Sequence, residues 1–369
     1  MNQLFRWDQM GSFLLALAAG ILPFAVPEVC AAALREGLAL CCGPLLLSLF
    51  PFLVVSRLLI QCPESDLLAL PFRLAAWGIG IRTPCAARVL CIGFLGGFAP
   101  AASAAAQAVR TGQLTAEEAD TLLPACICSG PSFVVLTVGQ SLLGSAELGV
   151  LLFASQITAN YLTAALLNRF AGVRSVKQKS AAPASPAPPR LDEILADAAI
   201  TYCKLCGFIL FFRMLAAGAG ALLPAGAGTL CAILLEVCSG CDLASRTGRW
   251  GSLLCCTALS VQGLSVLLQV RTICPPEMTL RPLYRARMLH LPLSLALFYL
   301  LLPGGEADVF STLPARVLLM RRVPPDCALL VFAVCCMAAC TLRNGIRQVE
   351  QKQMARNAGG CCINSKTLL

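Results

Sequence analysis

Apolar runs follow one another along most of the chain. Runs of about 20 residues, long enough to cross the hydrocarbon core of a bilayer as a helix, lie near residues 12–34, 37–60, 148–167, 202–223 and 250–270. Shorter or interrupted runs lie near residues 67–81, 89–109, 122–143, 229–237, 289–302 and 327–342. The pattern predicts an all-α, polytopic integral membrane protein.

Glycine and proline interrupt several of these runs in the middle. Each interruption frees backbone groups that lipid cannot satisfy, so it is tolerated only where the backbone is buried in protein or lines a cavity. The interruptions therefore predict discontinuous or re-entrant helices. Short, broken segments in corresponding halves of a chain are typical of the binding sites of transporters.

Composition supports a membrane protein and excludes several other classes. Of the 369 residues, 58% are hydrophobic and only 13% are charged, against about 25% charged residues in ordinary soluble domains. The net charge of +9 comes from basic residues at the ends of apolar runs. That placement indicates membrane topology and argues against a nucleic-acid partner. A single histidine, His290, argues against catalytic triads and histidine-rich metal sites.

Most of the 22 cysteines lie inside apolar runs, where cysteine behaves as a small hydrophobic residue that lets helices approach. Cys238 and Cys241 form a CxxC motif without a second ligand pair, although zinc needs four ligands. Cys361 and Cys362 do not form a prenylation motif, which places its cysteine fourth from the end. We predict neither a metal nor another cofactor.

The chain divides into five predicted segments. These are an N-terminal membrane helix (1–34), a first repeat (35–170), a basic, proline-rich linker (171–190), a second repeat (191–345) and a tail (346–369). Cleavage of the first segment as a signal peptide remains an alternative. The basic linker and tail are both predicted to be cytoplasmic, and Arg281, Arg285 and Arg287 are interpreted as loop charges of the second half.

The two halves resemble distant copies of each other. The break at Gly96, Gly97 and Pro100 has a counterpart at Ser239 and Gly240. Further along each half, Ser129-Gly130-Pro131-Ser132 corresponds to Gln262-Gly263-Leu264-Ser265. Order and approximate spacing agree although residue identity is weak, so an internal repeat is predicted.

The Ser129-Gly130-Pro131 motif gives the strongest local prediction. Serine is a preferred N-cap and proline a preferred first helical residue, so a half-helix is expected over residues 132–138. Its free N–H groups and positive dipole end favour an anion. A simple helix kink is the alternative.

Charged and polar side chains within apolar runs are the remaining candidates. Arg213 and Glu236 are two such charges. Charged residues at this depth are energetically costly and often mark ion or substrate paths. The alternative interpretation is that the two side chains pair with each other. Two roles are open for the polar residues Gln262, Ser265 and Gln269. They are expected either to contact a solute or to form hydrogen bonds between helices. Thr115 to Glu118 forms a capping box in an ordinary connecting loop.

Several of these motifs resemble a known family in this order and spacing. The runs 96–98, 110–120 and 126–133 are similar to the first Gate, or nucleoside-recognition, domain of the sporulation integral membrane protein YlbJ family. The runs 235–240 and 263–269 are similar to its second Gate domain. Ile127 and Cys128 replace asparagines that the family tends to have, and Leu267 replaces a frequent histidine, so the presumed site is less polar.

The resemblance implies two Gate repeats with paired discontinuous helices that meet at the middle of the membrane. It also implies transport of dipicolinic acid, a small planar dicarboxylate, across the outer forespore membrane of a spore-forming bacterium. Glu236 is then the candidate for proton or sodium coupling, and Arg213 is a possible anion contact. A non-transporting component of spore morphogenesis, or a paralogue with another solute, remains an alternative. An enzyme is not expected, and homo-oligomerisation stays open.

Overall fold

The structure is a computed structural model that describes residues 2–61, 65–171 and 190–302. This part of the chain is helical and contains no β-strand. The helices of the first half are α1 (Asn2–Ala25), α2 (Pro27–Cys42), α3 (Pro44–Gln61), α4 (Ser65–Leu68), α5 (Leu70–Ile79), α6 (Pro84–Gly96), α7 (Phe98–Arg110), α8 (Ala116–Cys126), a π-helix (Ser132–Leu142) and α9 (Ala146–Ala171). Those of the second half are α10 (Leu191–Leu222), α11 (Ala225–Leu235), α12 (Val237–Ser245), a 3₁₀ turn (Gly248–Trp250), α13 (Gly251–Val261), α14 (Gly263–Ile273) and α15 (Arg281–Leu301).

Three segments are long and apolar enough to cross a membrane. By length and composition these are Ala146–Phe170, Leu191–Leu222 and Gly248–Ile273, and the number rises to five if each of two bent helix pairs counts as one span. Large apolar side chains project from the helices, including Phe24, Phe170 and Leu300. The chain is an all-α, multi-pass membrane protein, as predicted from the apolar runs.

Proline and glycine divide two predicted spans more sharply than expected. The predicted helix over residues 1–34 is two helices, because the segments before and after Val26 meet at 110°. Pro27 lacks an N–H and cannot continue the preceding hydrogen-bond ladder. The run 37–60 is likewise interrupted at Gly43, between α2 and α3.

Small residues allow the broken helices to pack closely. Helix α7 contains the fully buried residues Ala101, Ala102, Ala104 and Ala105, and it packs against α3, α6, α8 and α14. Its short side chains let neighbouring backbones approach. The next turn leads into α8, where the predicted capping box is confirmed: Thr115 Oγ1 accepts from the Glu118 N–H and Glu118 from the Thr115 N–H.

The same succession of broken helices occurs in both halves. In the first half, one break lies between α6 and α7 and the next lies between α8 and the π-helix. In the second half, one break lies between α11 and α12 and the next lies between α13 and α14. The packing follows this correspondence, because α7 contacts α14 while α12 contacts the π-helix. The boundaries 35–170 and 191–345 stay predictions. Residues 172–189 of the linker, the end of the second repeat and the tail lie outside the described residues.

Candidate functional site

The first-half breaks touch each other through glycine backbones. Gly97 separates α6 from α7 at φ 82° and ψ −163°, a region that is essentially restricted to glycine. A Cβ atom on Gly97 would lie 2.6 Å from the backbone nitrogen of Gly130, and one on Gly96 would lie 2.9 Å from Pro100 Cγ. Gly96, Gly97, Pro100 and Gly130 therefore lie together, although they come from two different breaks.

The second-half breaks meet in the same way. Glu236 separates α11 from α12, and Gln262 with Gly263 separates α13 from α14. Gln262 and Gly263 both have positive φ angles, of 66° and 68°. A Cβ atom on Gly263 would lie 2.9 Å from the Glu236 nitrogen. Gln262 and Ser265 accordingly do not share a continuous helix.

A side-chain contact joins the two pairs of breaks. Gln262 Nε2 lies 3.4 Å from Ser129 Oγ and donates to the Leu259 carbonyl at 2.7 Å. The Gln262 side-chain oxygen is buried and has no hydrogen-bond partner among the described residues. Ser129 and Gln262 occupy corresponding places in the two halves, so the contact lies between equivalent breaks.

Ser129 does not have the predicted N-cap role. The helix after it is a π-helix that begins at Ser132, with Pro131 in the cap position and no side-chain cap. Ser129 lies too far before the helix start, and its hydroxyl faces Gln262 instead. The predicted half-helix exists, but it is wider than an α-helix and extends to Leu142.

Three of the four half-helices after the breaks begin without a side-chain cap. These are α7, the π-helix and α14. The fourth, α12, is capped by Glu236, whose carboxylate accepts from the N–H groups of Cys238 and Ser239 at 2.8 and 2.7 Å and from Ser239 Oγ at 2.9 Å. Helix N-termini carry partial positive charge. Glu236 neutralises one of them, and the other three are left without a protein anion as cap.

Gly240 has a structural function in α12. A Cβ atom there would lie 2.8 Å from Ile233 Cα on α11, so glycine permits the close packing of these two helices. Ser239, by contrast, contributes both a backbone and a hydroxyl donor to Glu236. Of the two residues Ser239 and Gly240, only Ser239 therefore belongs to the polar part of the site.

Arg213 does not pair with Glu236. Its guanidinium instead forms an ion pair with Glu36 on α2, with Nη2 and Oε2 3.0 Å apart. Arg213 is buried, whereas half of the Glu36 side chain is exposed. Arg213 thus joins α10 to α2, and the direct Arg213–Glu236 pair of the sequence alternative is not formed, although the two charges still attract each other.

Arg287, interpreted from the sequence as a loop charge, is buried in α15. It donates one N–H to the carbonyl of Ile127 and another to that of Ser260, the latter at 3.3 Å. Ile127 follows α8 and Ser260 lies in the last turn of α13, each two residues before the joined pair Ser129 and Gln262. Arg287 therefore bonds the C-terminal ends of two corresponding half-helices, and it forms no ion pair within the described part of the chain.

Polar residues of α9 and α15 surround Arg287. Asn160 Nδ2 donates to the Ile127 carbonyl at 3.2 Å, and Gln156 Nε2 donates to Ser260 Oγ at 2.9 Å. His290 Nε2 lies 3.3 Å from the Gln156 carbonyl. The buried side chains of Gln156, Asn160 and His290 each retain one polar atom without a partner among the described residues. This cluster was not predicted from the sequence, although Gln156 and Asn160 stand four residues apart in an apolar run.

Ser265 and Gln269 both lie in α14 and bond to each other. Gln269 Nε2 donates to Ser265 Oγ at 2.9 Å, one turn away. The Gln269 side-chain oxygen has no partner among the described residues, and Gln269 lines a cavity between α3, α7, α10 and α14. Within residues 2–61, 65–171 and 190–302, no group of three or more histidine, cysteine or acidic residues is placed to hold a metal ion.

Comparison of the chain with protein-family models, curated proteins and solved structures gave no match.

Proposed function

We propose that this protein transports a small anionic solute past the point where its four broken helices meet. The supporting observation is the paired contact of the breaks, with Gly97 against Gly130 and Gly263 against Glu236. Broken helices are costly in lipid unless their free backbone groups face protein or a polar path. Their convergence near the joined residues Ser129 and Gln262 favours a solute path there.

The half-helix N-termini support an anion as the solute. The uncapped N-termini of α7, the π-helix and α14 offer backbone N–H groups and positive dipole ends. These groups stabilise a carboxylate without requiring a fixed, buried countercharge. Unpartnered polar atoms at Gln262 and Gln269 supply further hydrogen-bonding capacity close by.

The motif resemblance supports the choice of dipicolinate as the first solute to test. Its two carboxylates on a flat ring are matched by more than one half-helix N-terminus. On the same basis we propose the cell membrane of a spore-forming bacterium, and within it the outer forespore membrane, as the location.

Uptake by the purified full-length chain in liposomes tests the proposal. We expect vesicles with the wild-type protein to take up labelled pyridine-2,6-dicarboxylate. Gly130→Leu should abolish uptake. Its Cβ atom alone would lie 3.2 Å from the Gly96 carbonyl oxygen, and the rest of the leucine side chain has to be accommodated as well. Gly226→Leu is the matched control, since Gly226 has open space around it.

Two results would contradict transport of this kind. One is uptake by the wild-type protein no greater than by empty vesicles for every small anion offered. The other is unchanged uptake in both Gly130→Leu and Glu236→Gln variants that are correctly folded by size-exclusion chromatography.

We propose that Glu236 couples transport to a proton or a sodium ion. A cation bound at this carboxylate would weaken its bonds to the N-terminus of α12, and would thereby free N–H groups that the carboxylate now holds. We expect Glu236→Gln to retain exchange of solute across the vesicle membrane but to lose accumulation driven by a proton or sodium gradient. Glu277 is exposed, and the control variant Glu277→Gln should behave as wild type. Gradient-driven accumulation in Glu236→Gln would exclude Glu236 as the coupling group.

A further inference from the structure

A polar cavity of about 140 Å³ lies between the two halves, away from the breaks themselves. It is lined by α3 and α7 of the first half and by α10 and α14 of the second. At this volume the cavity accommodates only a small molecule. The cavity begins near the N-terminal part of α10, the part that follows the basic linker.

The charges around this cavity do not balance. Arg57, Arg110 and Lys204 line it together with a single carboxylate, Asp197. Asp197 is already paired with Arg57, with Nη1 and Oδ2 2.6 Å apart. Arg110 and Lys204 are exposed and form no ion pair within the described residues, and Arg110 makes only a long bond, of 3.5 Å, to the Ile273 carbonyl, so both charges are accessible to a ligand.

The Arg57–Asp197 pair connects the halves in an asymmetric way. Arg57 is buried on α3, and it also donates to Thr201 Oγ1 at 3.3 Å, while its Nε has no partner among the described residues. The Asp197 side chain on α10 is 53% exposed. Asp197 is therefore a solvent-accessible carboxylate at the cavity edge, whereas its partner Arg57 is buried.

The floor of the cavity is polar and leads toward the breaks. Ser103 and Gln269 line it, are 3% and 2% exposed, and each retains an oxygen without a partner among the described residues. Gln269 in turn bonds Ser265, two residues after the break at Gly263. The cavity and the broken helices are thus connected along one face of α14.

We propose that this cavity is an access site for a small dicarboxylate, which binds Arg110 and Lys204 and displaces Asp197 from Arg57. The inference rests on the proposed transport function and specifies where the solute is first captured. Loss of the Arg57–Asp197 pair on binding also removes one polar link between α3 and α10, which stay packed through apolar residues. The second charge of the solute is what distinguishes it from a monocarboxylate.

Equilibrium binding to the full-length protein in detergent provides the test, with labelled pyridine-2,6-dicarboxylate and the monoanion pyridine-2-carboxylate as probes. Arg57→Gln should raise the Kd of the dianion by about tenfold or more, as expected for a lost charge-assisted hydrogen bond. Asp197→Asn should lower that Kd, because the competing carboxylate is gone. Lys204→Gln, at an exposed position, should raise it for the dianion more than for the monoanion.

Asp242→Asn is the matched control. It removes the carboxylate of an exposed pair with Arg246, in which the atoms are 2.8 Å apart, and should leave binding of both probes unchanged. A rise in Kd for Asp197→Asn like that of Arg57→Gln would overturn the proposal, since the pair would then be only a structural bridge. Unchanged Kd in all three cavity variants would also overturn it. Wild-type protein that neither binds nor transports any anion would instead contradict the proposed function.

Discussion

Replacement of Gly97 by alanine is expected to destabilise the protein by about 4 kcal/mol and to abolish transport. The φ and ψ of Gly97 cost a residue with a side chain about 1–3 kcal/mol. The added Cβ atom would also lie 2.6 Å from the Gly130 nitrogen, and such overpacking costs about a further 1–3 kcal/mol. Thermal unfolding in detergent and uptake into liposomes measure the two effects.

Two glycine substitutions bracket this expectation. Gly263→Ala should be similarly damaging, because Gly263 has a φ of 68° and meets the Glu236 backbone. Gly207→Ala in α10 meets nothing within 4 Å and should be neutral or stabilising by up to about 1 kcal/mol. A Gly97→Ala protein as stable as Gly207→Ala would show that the two first-half breaks do not touch.

The positions of the breaks could be predicted because glycine and proline act locally. Gly97, Gly130 and Gly263 stand in apolar runs that would otherwise continue as helices, and each does lie at a break. The internal repeat in the sequence also predicted which breaks of the two halves correspond, and the structure has the breaks in that order. The closeness of Gly97 to Gly130 was not visible, because it depends on how four helices pack.

Details that depend on helix type or on distant partners were predicted less well. The Ser129 cap was wrong because the following helix is of the π type and begins at Ser132, which propensity rules do not specify. The direct partner of Arg213 was not predicted, because Glu36 is distant in sequence and near only after α2 packs on α10. Arg287 was assigned to a loop because its neighbours Arg281 and Arg285 indicate a membrane interface. In the structure all three arginines lie in α15, which begins at Arg281.

Replacement of Arg287 by methionine is the second change for which we expect a large effect. Methionine keeps much of the side-chain volume but removes the Arg287 donor from two buried carbonyls, so that Ile127 keeps only Asn160 and Ser260 loses its side-chain donor. An unsatisfied buried acceptor costs about 1–3 kcal/mol. Ile127 also loses one of its two side-chain donors, while the removal of an unpaired buried charge offsets part of the cost, so we expect a net destabilisation of about 2 kcal/mol together with loss of uptake.

Arg249→Met is the matched control for this substitution. Arg249 is exposed and stacks over Trp250 at 5.1 Å, so its replacement should change stability by about 0.5 kcal/mol or less. An Arg287→Met protein with the stability of this control would show that the two carbonyls do not depend on Arg287 as a donor.

Chemical rescue separates the charge of Arg287 from its packing. In Arg287→Ala, guanidinium ion can enter the space left by the side chain and donate to both carbonyls, whereas ammonium, a point charge, lacks the planar fork that reaches both. We therefore expect guanidinium to restore part of the uptake and ammonium to restore less. Equal rescue by both ions would mean that positive charge alone suffices. Rescue by guanidinium alone would indicate that Arg287 acts as a tethered cation, which holds the C-terminal ends of α8 and α13 in register while their breaks bind or release the solute.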